Sequence, residues 1–193
     1  MTKLGLVFVA LTTVACGNGD KKASRAAAAK PVDVAAVNAL VPASLKDKLV
    51  FEEQKVVEDR GRRKTTYTVA APKGWTQEQK SFATLRPPAE LGRMTEFSVG
   101  TNCDGACEPK DWAATVEKAY SNQLSGKVLK DEKAPGQRTI ITEMNGGAVF
   151  VVRAWWTDGD KRYSHCGGYL DEQLKDAAAA IEKACESITV TEE

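Results

Sequence analysis

Alternation of apolar and polar residues along the chain predicts most of its strands. Leu49 to Val57 and Lys64 to Ala71 are β-rich runs joined by a polar turn that contains Gly61, which predicts a hairpin. A second hairpin is predicted around Asn145-Gly146, a strong hairpin-turn dipeptide. The remaining predicted strands flank these turns or alternate in the same way: 81–86, 94–101, 137–144, 148–157 and 161–166.

Helical spacing of apolar residues predicts two helices. The first runs from Pro109 to Leu124, with proline in a first-turn position, and the second from Asp171 to Ser187. The apolar face of the second helix includes Cys185. The chain is therefore expected to be an α+β protein, an antiparallel β-sheet of about six strands with two main helices packed on it.

The N-terminal residues have the pattern of an export signal. Lys3 precedes an apolar run from Leu4 to Val14, and Ala15 supplies a small residue before Cys16. A run of this length is too short to span a bilayer, which needs about 20 apolar residues, so it is typical of a signal peptide. The following stretch, residues 17–31, has no aromatic or large apolar residue before Pro31 and is expected to be a mobile tether.

The segment Leu11-Thr12-Thr13-Val14-Ala15-Cys16 resembles the lipobox of bacterial lipoproteins. The resemblance implies that Cys16 is acylated, becomes the N-terminus and anchors the chain in a membrane. By the same analogy, Gly17 in place of aspartate implies an outer-membrane lipoprotein facing the periplasm or the cell surface. If an ordinary signal peptidase cleaves instead, the protein is free in the periplasm. The expected organisation is a signal peptide at 1–15, a lipidated cysteine and tether at 16–31, and one globular domain at 32–193.

The cysteine count fits an oxidising compartment. Of five cysteines, assigning Cys16 to the lipid leaves four that can form two disulfides in three connectivities. Cys103 and Cys107 bracket a short turn, which favours a bond between them. Cys166 ends a predicted strand and Cys185 lies in the last helix, so their bond would join the helix to the sheet.

Alternative chemistry at the cysteines has weaker support in the sequence. Cys103 and Cys107 have zinc-like spacing, and His165 adjoins Cys166, but neighbours on a strand point to opposite faces. The Cys-x-x-Cys spacing of thioredoxin-like proteins is missing. We therefore expect no metal and no cofactor.

Catalytic and nucleic-acid-binding patterns are also missing from the sequence. The single histidine, His165, has no Gly-x-Ser-x-Gly motif to partner it and is expected to be a surface residue. Lys+Arg 27 against Asp+Glu 26 gives a formal net charge of +1, which does not favour a nucleic-acid partner. No catalytic residue is assigned, and the chain is not expected to be an enzyme.

Two candidate interaction surfaces emerge from charge and aromatic patterning. Arg60, Arg62 and Arg63 lie at the tip of the first predicted hairpin, which is either a solvated turn or a site for an acidic partner or head group. Trp155 and Tyr163, with Arg153 and His165, are expected to share the sheet face away from the Cys185 helix. This aromatic face is core if the first helix covers it, and an interface if it is open.

The order of these elements resembles the PsbP-like α/β/α sandwich. The residues that carry the resemblance are 67–75 (YTVAAPKGW), Trp155-Trp156 and 180–188 (AIEKACESI). The resemblance implies a non-catalytic binding or assembly factor. With the lipobox-like segment, the expectation is a module of the cell envelope that has a membrane anchor and an unknown envelope protein partner. Two alternatives stay open: an envelope enzyme or thiol redox protein using the Cys103/Cys107 and Cys166/Cys185 pairs, or an inhibitor of an envelope enzyme.

Overall fold

The computed structural model describes residues 31–102, 112–156 and 163–192, except for the side chains at 102, 112 and 113. The described helices are α1 (Val34–Ala39), α2 (Trp112–Ala119), α3 (Ser121–Leu124) and α4 (Ala178–Ala184), with 3-10 helices at Ala43–Leu45, Ala89–Leu91 and Glu172–Ala177. The described strands are β1 (Phe51–Asp59), β2 (Lys64–Pro72), β3 (Thr76–Gln77), β4 (Thr84–Arg86), β5 (Glu96–Asn102), β6 (Lys127–Ala134), β7 (Gln137–Glu143), β8 (Val149–Trp156), β9 (Tyr163–Leu170) and β10 (Thr189–Glu192).

The strands form two antiparallel sheets. The small sheet has the order β1-β2-β10, and the large sheet has seven strands in the order β3-β4-β5-β9-β8-β7-β6. Every described pairing is antiparallel. The predicted α+β class is therefore confirmed, although the described residues contain ten strands in two sheets instead of about six in one.

The main core lies between the small sheet, α4 and one face of the large sheet, which we call the α4 face. Val149, Val151 and Trp155 of β8 lie on this face and belong to the same apolar cluster as Ile181 and Ala184 of α4. Its largest fully buried side chains come from both sheets, the segment before β1 and the last helical segments: Tyr67, Phe51, Phe97, Leu49, Leu170, Leu174 and Ile181. Burial of this apolar surface is the main stabilising contribution to the fold.

A second, smaller core lies on the opposite face, which we call the α2 face. Val116 and Tyr120 from the α2 region pack there against Ile140, Val152 and Tyr163. Helices thus cover both faces of the large sheet, because each face carries its own apolar set on alternate residues of β8.

Both predicted hairpins are present. The first joins β1 to β2 with Asp59 opposite Lys64, and Gly61 at its tip has a φ of 78°. The second joins β7 to β8, with φ values of 87° at Gly146 and 81° at Gly147. Both turns use the left-handed backbone conformation that glycine adopts without steric cost.

Two predicted helices differ from the observed ones in detail. In the described part of the 109–124 segment, α2 ends at Ala119 and α3 begins at Ser121. The 171–187 segment starts as a 3-10 helix, Glu172–Ala177, and only Ala178–Ala184 is α-helical. Strand β6, which the sequence did not predict, forms an edge of the large sheet and contains a bulge between Val128 and Lys130.

Candidate functional site

A disulfide joins β9 to the end of α4, as the sequence predicted. Cys166 and Cys185 are both fully buried, and their Cα atoms are 5.4 Å apart. Cys185 follows α4 directly, so the bond ties the helix to the α4 face of the large sheet. Cys16, Cys103 and Cys107, the other predicted lipid-bearing and disulfide cysteines, lie outside the described residues.

Arg153 lies beside this disulfide. It is directly opposite Cys166 in the pairing of β8 with β9, so the two side chains share the α4 face. Its Nη1 donates to the Cys185 carbonyl oxygen at 2.6 Å, and its Nη2 donates to Gln137 Oε1 at 2.8 Å. The guanidinium carbon is 5.8 Å from the centroid of the Trp155 ring, within the range of a cation–π contact.

The prediction that Arg153, Trp155, Tyr163 and His165 share one face of the sheet is therefore wrong. Arg153 and Trp155 lie on the face that packs against the Cys185 helix, whereas Tyr163 and His165 lie on the α2 face. The register decides this, because Ala154 pairs with His165, and paired residues in an antiparallel sheet point to the same side.

Tyr163 contributes almost no accessible surface. The residue is 2% exposed, and its side chain packs in the smaller core with Val116 and Tyr120. Burial and a hydrogen bond with Tyr163 raise the pKa of Tyr120. Tyr163 is therefore a core residue and not part of an open interface.

His165, expected at the surface, is instead partly buried. Its ring lies over Gly100, where an added Cβ would come within 2.7 Å of Cε1. Its Nδ1 is buried and has no hydrogen-bond partner among the described residues. Burial, with a smaller contribution from the charge of Arg60, lowers the pKa of His165 to about 4. The imidazole is therefore neutral at physiological pH.

The hairpin tip is exposed, but two of its three arginines already have carboxylate partners. Arg60 Nη2 donates to Glu58 Oε1 at 2.6 Å, and Arg63 is paired with Glu192 of β10. Arg62 is exposed and makes no ion pair within the described residues. The basic tip thus offers less free positive charge than its sequence suggests.

Beneath the tip lies a small polar cluster that sequence reasoning missed, consisting of Glu58, Tyr67, Thr101 and Ser164. The Tyr67 hydroxyl donates to Glu58 Oε2 at 3.2 Å and lies 3.1 Å from Thr101 Oγ1. Burial raises the pKa of Tyr67 to about 12, so the phenol stays protonated and keeps donating. Glu58 is only 7% exposed, and its place on the same strand face as Val56 was the signal available in the sequence.

The polar cluster leaves little space for a ligand, and its contacts support the hairpin tip. The adjacent cavity, lined by Glu58, Arg60, Arg63, Thr65 and Thr101, has a volume of about 30 Å³. A volume of this size holds about one water molecule. The hydrogen bonds from Tyr67 to both sheets fix the base of the hairpin and hold Arg60 and Arg62 at the surface.

No known protein family matches the chain, and no curated protein matches its sequence. Within residues 31–102, 112–156 and 163–192, no three His, Cys, Asp or Glu side chains are grouped so that they could hold a metal ion. No helix in the same ranges has the length and apolar character needed to cross a bilayer.

Proposed function

We propose that this protein is an outer-membrane lipoprotein whose folded domain faces the periplasm and acts as a non-catalytic binding or assembly module. The observation that carries the proposal is the buried Cys166–Cys185 disulfide. Disulfides of this kind persist in oxidising compartments and are rare in the cytosol. Together with the signal-like residues 1–15 and the lipobox-like cysteine, it supports an exported chain anchored through Cys16.

We also propose that the domain belongs to the PsbP-like α/β/α sandwiches. The support is an antiparallel sheet whose two faces are covered by different helices, α4 on one side and the α2 region on the other. Fold alone does not determine function, so this proposal supports a binding role only by analogy.

The anchoring proposal is tested by fractionating cells that express two variants. Cys16→Ala removes the acylated sulfur and is expected to release the protein into the soluble fraction. Gly17→Asp keeps the cysteine and, by the lipoprotein analogy, is expected to move the protein to the inner membrane. Membrane fractionation of Cys16→Ala that is the same as that of the wild type would contradict acylation of Cys16.

The binding proposal assigns the partner contact to the hairpin tip. Arg62 is exposed there, and the polar cluster below ties the base of the hairpin to both sheets. Cross-linking in intact envelopes is expected to capture a protein with an acidic contact surface, and Arg62→Glu should weaken that capture. Arg93→Glu, an exposed arginine outside the tip, is the matched control. Equal capture by both variants would contradict the assignment.

A further inference from the structure

An open groove lies on the α4 face, between the end of α4 and the outer strands β6, β7 and β8. It is separate from the hairpin tip and has a volume of about 260 Å³. At about 30 Å³ per liquid water, this is room for roughly nine waters. Its lining is almost wholly polar and comprises Lys130, Glu132, Gln137, Thr139, Arg153, Glu182 and Glu186.

The carboxylates of this groove all have lysine partners. Lys130 Nζ is 2.5 Å from Glu182 Oε1 and 3.0 Å from Glu132 Oε2. Glu186 is paired with Lys183, which lies next to the groove on α4. Lys130 and Lys183 thus balance two of the three carboxylate charges, and one negative charge of the lining is left without a lysine.

Arg153 is the exception in this groove. It is half-buried, and its two hydrogen bonds go to neutral acceptors, a backbone carbonyl and the side-chain amide of Gln137. It makes no ion pair with any carboxylate of the described residues. Burial lowers the pKa of Arg153, while the more distant Glu186 and Glu182 raise it.

Arg138, on the neighbouring strand β7, differs from Arg153 because it contacts a carboxylate. It is 4% exposed, and its Nε and Nη2 donate to the two carboxylate oxygens of Asp131 at 2.8 and 3.0 Å. Buried charges in proteins are normally paired, and a planar guanidinium fits a carboxylate in this two-bond geometry. Arg153 thus lacks the partner that Arg138 has.

We propose that the groove binds a small ligand whose carboxylate pairs with the Arg153 guanidinium. The three glutamates keep free acceptor lone pairs beside their lysine contacts, so the ligand also carries N–H or O–H donors. The chemical class is a polar carboxylate about the size of a dipeptide or a sugar acid. The fixed position of Arg153 between Cys185 and Gln137 means that little ordering is needed on binding.

The test is a titration of the isotope-labelled full chain, in detergent micelles, followed by NMR. Glycylglycine and glucuronate are the two probes, and the one that binds more tightly distinguishes a peptide-like ligand from a sugar acid. We expect the Arg153 Nε–H signal to shift saturably, with a dissociation constant on the order of 1 mM. Failure of both probes to give a saturable shift contradicts the proposal.

Gln137→Glu is the decisive variant because it places a carboxylate next to Arg153 Nη2 without changing the size of the side chain. The internal carboxylate supplies the missing partner, so we expect binding to weaken at least about tenfold while the protein stays folded. Arg153→Met should weaken binding to the same degree, and Arg93→Met, at an exposed site elsewhere, should leave it unchanged. Wild-type affinity in Gln137→Glu would overturn the proposal.

Discussion

Charged side chains inside this protein are held by specific partners. Arg138 has a two-bond contact with Asp131, which keeps the pKa of that carboxyl below its usual value. Glu58 is held by Arg60 and by the Tyr67 hydroxyl. Because a buried charge without a partner is costly, each of these contacts should be visible in the free energy of unfolding.

Arg138→Met tests the stronger of these contacts. The substitution removes a nearly buried guanidinium and leaves Asp131 without its main partner, so we expect a loss of about 3 kcal/mol in the free energy of unfolding. Lys133→Met is the matched control, since the exposed Lys133 ammonium is 3.9 Å from the same carboxylate. In urea unfolding, the unfolding free energy of the control should lie within about 0.5 kcal/mol of wild type. Equal losses for the two substitutions would contradict the prediction that the Arg138 contact is the stronger one.

His165 makes stability depend on pH. Its pKa is about 4 in the folded protein, mainly through burial, against an unfolded value of about 6.5. Between these values the unfolded chain binds a proton that the folded protein does not, so stability is complete above about pH 6.5 and falls as the pH drops toward 4. The expected loss is about 1–3 kcal/mol, measured by urea unfolding across this interval.

His165→Gln is the control for that pH dependence. Glutamine does not titrate, so most of the difference in unfolding free energy between about pH 6.5 and pH 5 should disappear. A slope as steep as that of the wild type would assign the effect to other groups.

Individual residues could be placed from the sequence where a local pattern was enough. The Cys166–Cys185 bond followed from a strand end and an apolar helix face. The grouping of Trp155 with Tyr163 failed because strand register decides which face a residue occupies, and a shift of one residue reverses it. No local pattern in β8 or β9 encodes that register.

The hairpins were the elements most easily predicted from the sequence, and strand β6 was the hardest to predict. The β1–β2 and β7–β8 turns contain glycines that mark them. Strand β6 (KVLKDEKA) is mostly charged and exposed, because it lies at the sheet edge with only one paired neighbour. Charges and a bulge are common on such edges, where they oppose unwanted pairing, so β6 lacks the alternation that identifies a strand.

The disulfide should contribute strongly to the docking of α4 on the sheet. The two cysteines are 19 residues apart in the chain, and the double variant Cys166→Ala/Cys185→Ala is expected to lower the free energy of unfolding by about 3 kcal/mol. Guanidinium unfolding of oxidised wild type against the double variant measures the difference. Stability within about 0.5 kcal/mol of wild type would show that packing alone holds the helix.

At the scale of the whole molecule, two cores of unequal size share one sheet. The larger core unites the small sheet, α4 and the α4 face, and the smaller one lies under the α2 region. The sequence predicted the α+β class from periodicity, but not the division of strands into two sheets, because pairing between distant segments such as β2 and β10 leaves no local signal.

We propose that the protein is exported, acylated at Cys16 and stabilised by disulfides as a binding module. The most direct test is the intact mass, after thiol alkylation, of protein purified from its native envelope. We expect acyl chains on Cys16 and no alkylated thiols. An unacylated chain with reactive thiols at Cys103, Cys107 or Cys166 would contradict it and move the search for function to thiol chemistry.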